Sequence, residues 1–138
     1  MDIDELLLLA RSEGWADRVR AGEGLSAHVG QAKADAVLQE LLLDAKDTAV
    51  IAGIADALLA RGDLAAWRVF AAAWSLAGPA EADHLSGSLS GALFEASLDS
   101  SKAARLKGVL ATLLTDDDQA IRDAARDLEA RVTRALPE

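Results

Sequence analysis

A chain of 138 residues is one domain of common size, and 31 Ala with 23 Leu supply about 39% of it. Aromatic residues reach 4% and Tyr is missing, which excludes an all-β fold built on branched and aromatic side chains. A hydrophobic share of 51% excludes disorder, and a net charge of −9 argues against nucleic acid or an anionic membrane surface as partner.

The N-terminus, Met1-Asp2-Ile3-Asp4-Glu5, places acids before the leucines at 6–9, the wrong flank for a secretory leader. The most apolar stretch, residues 49–60, is broken by Asp56 and too short to span a bilayer. With no Cys there is no disulfide and no thiolate chemistry. A cytoplasmic protein without a membrane partner is the expectation.

Residues 6–10 read as a first helix and residues 12–20 as a short second one. Ala21-Gly22-Glu23-Gly24 reads as a turn, followed by a longer helix over residues 26–43. Asp47 then stands before a stripe of Val50, Ile54, Ala57 and Leu58, where its carboxylate can cap a helix. Gly62 offers a left-handed stop and Asp63 the next cap. Trp67, Phe70, Ala71 and Trp74 share one helical face and are expected in the core.

Gly78-Pro79 ends that helix and opens another, carrying Leu85, Leu89, Ala92, Leu93 and Ala96. Gly87 and Gly91 lie in this stretch among small residues. They imply either the close approach of a second helix or a break near residues 86–91. Asp99-Ser100-Ser101 precedes the stripe of Leu106, Val109, Leu110, Leu113 and Leu114. Asp118 precedes the last one, of Ile121, Ala124, Ala125, Leu128 and Val132. Short connections predict antiparallel neighbours.

Asp47, Asp83 and Asp118 are spaced by 36 and 35 residues, each expected near the start of the second helix of a pair. Around Asp118 the wording is Leu113-Leu114-Thr115-Asp116-Asp117-Asp118-Gln119-Ala120-Ile121-Arg122-Asp123-Ala124-Ala125. A Leu pair, an acidic turn and aliphatic-Arg-x-Ala-Ala resemble the HEAT-like (armadillo-type) helical repeat family. Leu42-Leu43 through Asp47 to Val50-Ile51 is similar, with Ile51 in place of the Arg. The middle unit departs further, with Gly78-Pro79 at the Leu pair and Ser86-Gly87 at aliphatic-Arg.

The resemblance implies an all-α fold: a short α-solenoid of antiparallel helix pairs, with a compact helical bundle as the alternative. Residues 1–138 then form one domain, with 1–35 as an N-terminal helical cap and 36–138 as about three repeats. It also implies a non-enzymatic protein-interaction module, whose second-helix row would carry Asp47, Asp83, His84, Asp118 and Arg122. Trp15, beside Arg18 and Arg20, is the candidate exposed anchor. The acidity suits a basic protein partner, and an immunity-type inhibitor of a basic toxin is one version.

Catalytic patterns are missing from the sequence. His28 and His84 are the only histidines, and no nucleophile elbow, phosphate loop or dinucleotide fingerprint accompanies them. Glu81 and His84 stand at i, i+3, as in di-metal bundles, which leaves a small-molecule or metal-handling domain as the rival class. The second such pair that a di-metal site needs is not present. Asp116-Asp117-Asp118 is better suited to a helix start than to a cation. No cofactor is expected.

Overall fold

Aspartate begins most of the helices. In the computed structural model, which describes residues 1–136, side chains of Asp2, Asp47, Asp63, Asp99 and Asp118 each accept a backbone N–H at a helix start. The described residues form eight α-helices and no strand: α1 (Ile3–Leu9), α2 (Trp15–Ser26), α3 (Ala32–Leu41), α4 (Thr48–Arg61), α5 (Leu64–Leu76), α6 (Pro79–Ser97), α7 (Ser100–Leu113) and α8 (Gln119–Ala135). The protein is all-α. Gly62 closes α4 at φ +68°, and Pro79 opens α6 at the position where its missing N–H costs nothing.

The N-terminal third differs from the sequence expectation. Residues 21–24 form no turn, because α2 runs through them. The helix expected over 26–43 is interrupted at residues 27–31, where Gly30 adopts φ +101°. Tertiary packing explains the glycines of α2. A Cβ on Gly22 would stand 2.3 Å from Ile54 Cδ1, and one on Gly24 would stand 2.6 Å from Leu6 Cδ2. They let α4 and α1 approach α2, at a helix-propensity cost of about 1 kcal/mol each.

Two expectations for α6 also change. It is continuous over 19 residues, so there is no break near residues 86–91. No helix approaches Gly87 or Gly91 either, since a Cβ at each would meet open space. Asp83 caps nothing. Pro79 starts the helix a turn earlier, with Gly78 at the N-cap, leaving Asp83 as the fifth residue of α6.

The even helices pack in succession, α2 on α4 and α4 on α6, while α5 contacts both α3 and α7. The last helix departs from this order. α8 lies chiefly against α5 and α7 and touches α6 little. One apolar core runs through the molecule, with Leu25, Leu38, Ile54, Leu58, Phe70, Leu85 and Leu128 all sealed from solvent. Trp67 is buried edge-on to Phe70 with ring centres 5.5 Å apart. Trp74 is only half-buried. Its indole Nε1 donates to Asp127 Oδ2 at 2.8 Å, and Arg131 stacks on its ring at 4.9 Å. This cluster holds α8 to α5.

Candidate functional site

The six residues singled out in the sequence fall into three separate settings. Trp15 opens α2 and is 52% exposed, as an anchor requires. Three residues on, Arg18 is buried. Its Nε donates to Asp44 Oδ2 at 2.8 Å, and its Nη1 donates to the carbonyls of Ser12 and Glu13. Asp44 Oδ1 in turn accepts from the N–H of Lys46 and of Asp47. Asp47 sits in this cluster as the N-cap of α4, accepting from Ala49 N.

Asp118 and Arg122 belong to a second cluster. Asp118 caps α8 through Ala120 N. Arg122 reaches back to the Asp116 carbonyl and to Gln119 Oε1. Arg68 of α5 grips Asp116 with two parallel bonds, Nε at 2.8 Å and Nη2 at 3.1 Å. The Arg68 hydrogen bond dominates in holding the Asp116 carboxyl below its ordinary range, and burial opposes it. Asp83 and His84 lie apart from both clusters on α6, Asp83 exposed and His84 half-buried.

Asp47, Asp118 and Arg122 are therefore occupied within the chain. The acidity has the same origin. Among the described residues, Asp2, Asp35, Asp44, Asp47, Asp63, Asp99, Asp116 and Asp118 accept backbone N–H groups, eight of the fifteen aspartates in the sequence. Much of the negative charge serves helix starts and turns, and does not by itself mark a surface for a basic partner.

The outward face of α6 has a different character. Asp83, Gly87, Ser90, Gly91, Phe94 and Leu98 follow one another at helical spacing, and all are exposed. Phe94 is 66% and Leu98 73% exposed, and Asp83 is the one charge on this stripe. The stripe is about 22 Å long, at a rise of about 1.5 Å per residue from Asp83 to Leu98. Phe94 could have been found from the sequence. It falls off the stripe of Leu85, Leu89, Leu93 and Ala96 that α6 buries, and shares a face with Gly87 and Gly91.

Glu81 and His84, the residues of the metal-handling alternative, are both half-buried near the start of α6. Among the described residues no group of three or more His, Asp or Glu side chains is placed to hold a metal ion. No described helix is long and apolar enough to cross a membrane.

No protein-family model, curated protein or solved structure matches this chain.

Proposed function

We propose that the protein is a non-enzymatic interaction module, a short HEAT-like stack of helix pairs that docks a protein partner on the outward face of α6. Pairing α1 with α2, α3 with α4 and α5 with α6 accounts for the succession of α2, α4 and α6, with α8 folded onto α5 to cover the stack's end. The observation that carries the docking face is Phe94 and Leu98 exposed one turn apart beside two open glycines. An aromatic knob next to a small-residue groove is a surface that another helix or strand can fit closely. The glycines cost helix stability, and in the free chain no close approach compensates them.

On this reading His84 and Asp83 belong to the rim of the face, and Trp15 is a separate exposed aromatic. A photoreactive phenylalanine placed at position 94 tests the proposal in native cells. One discrete protein adduct is expected from position 94 and none from position 134 on α8. Equal labelling from both positions, or no adduct from position 94, would overturn it.

A further inference from the structure

A second site uses other residues of α6 than its outward stripe and does not depend on that stripe. The C-terminal end of α4, Trp67 of α5, the last turns of α6 and the first turns of α7 surround a cleft of about 100 Å³. Leu59, Trp67, Ala96 and Leu106, all buried, give it an apolar floor. Arg61, Lys102 and Arg105 line it together with one acid, Glu95, so three of the fourteen Lys and Arg in a chain of net charge −9 meet a single carboxylate here.

Two of these cations have partners. Arg61 Nη2 lies 3.0 Å from Asp63 Oδ2, and Lys102 Nζ lies 3.7 Å from Glu95 Oε2. Arg105 makes no ion pair or hydrogen bond with any described residue. Its guanidinium lies beside Gly62, 3.6 Å from where a Cβ would stand. Trp67 adds an independent observation. It is 2% exposed and lines the cleft, yet its indole N–H has no acceptor among the described residues, whereas Trp74 donates to Asp127.

We propose that this cleft binds a carboxylate carried on a short apolar stem. The Arg105 fork would take the carboxylate with help from the Trp67 N–H, and the stem would lie against Leu59, Ala96 and Leu106. The size and lining suit a small ligand: about 100 Å³ with an apolar floor accommodates a carboxylate on a stem of two or three carbons. The same group can come from a free short-chain acid or from a glutamate side chain of a protein.

The test is a titration of ¹⁵N-labelled protein with sodium butyrate, followed at the Trp67 indole N–H. Butyramide serves as the neutral isostere, and sodium chloride matches the salt. A saturable shift at millimolar butyrate is expected, absent with butyramide, weakened at least about tenfold in Arg105→Gln and unchanged in Arg134→Gln. A blocked pentapeptide with one central Glu separates the sources. Tighter binding than butyrate assigns the cleft to a protein's side chain, and weaker binding assigns it to a free acid. No shift up to about 50 mM butyrate, an equal shift with butyramide, or an unchanged response in Arg105→Gln would overturn the proposal.

Discussion

Arg18 and Asp44, 26 residues apart in sequence, form an ion pair at 2.8 Å with side chains only 10% and 9% exposed. Arg18 also binds the carbonyls of Ser12 and Glu13, and Asp44 binds two N–H groups of its own turn. The pair thus ties the α1–α2 connection to the α3–α4 connection. Its value is positional: removing one partner leaves the other buried and short of a hydrogen bond. Arg18→Met is expected to lower the unfolding free energy by about 3–5 kcal/mol in urea titrations. Arg20→Met, at an exposed position two residues on, should stay within about 0.5 kcal/mol of the parent.

The same geometry sets an acid limit to stability. Burial alone would raise the Asp44 carboxyl, but the N–H groups of Asp47 and Lys46, together with Arg18, outweigh it and hold the group below its ordinary value. At Asp63 burial is likewise overcome, by Arg61 and the N–H of Ala66. At Asp116 the Arg68 hydrogen bond leads. A carboxyl depressed in the folded state stabilises above its unfolded pKa of about 3.9, and that stability is lost as pH falls through the folded value. The urea midpoint should therefore hold between pH 7 and 5 and fall below about pH 4. Asp44→Asn should flatten part of that fall. A steep loss already between pH 7 and 5 would contradict the assignment.

Glycines in two helices should respond in opposite directions to the same change. Gly22→Ala forces a methyl against the sealed side chain of Ile54, and a loss of about 1–3 kcal/mol is expected from overpacking. Gly87→Ala and Gly91→Ala meet open space, so each should stabilise the free protein by about 0.5–1 kcal/mol. If α6 docks a partner through this face, the two stabilising changes should also weaken the complex. Thermal melts of the free protein and cross-linking yield from position 94 read the two effects separately.

The three aspartates that suggest a repeat in the sequence should not be equivalent in energy. Asp47→Ala and Asp118→Ala each remove a helix cap and should cost about 1 kcal/mol. Asp83→Ala, inside α6 and exposed, should fall within about 0.5 kcal/mol of the parent. A comparable loss at all three positions would restore their equivalence.

The caps Asp47, Asp63 and Asp118, the left-handed Gly62 and the Pro79 start are legible in the sequence, because capping and turn chemistry act over a few residues. Gly22 and Gly24 look like a turn in the sequence because the cause of those glycines lies on Ile54 and Leu6, one of them more than thirty residues away. Arg18, Asp44, Arg68 and Asp116 gave no pattern for the same reason, since their pairing spans 26 and 48 residues.

The Ala- and Leu-rich composition by itself determined that the chain would be helical, and the acids and glycines placed most helix ends. Tertiary structure alone decided which helices touch, and so that α8 leaves the even row for α5, where Trp74, Asp127 and Arg131 meet it. It also decided that no helix covers Gly87 and Gly91, and that Arg105, without an ion-pair partner among the described residues, lines a cleft with Trp67. Helix formation is local and leaves its mark in neighbouring residues. Exposure and partnership depend on what the rest of the chain brings near, which one-dimensional spacing does not contain.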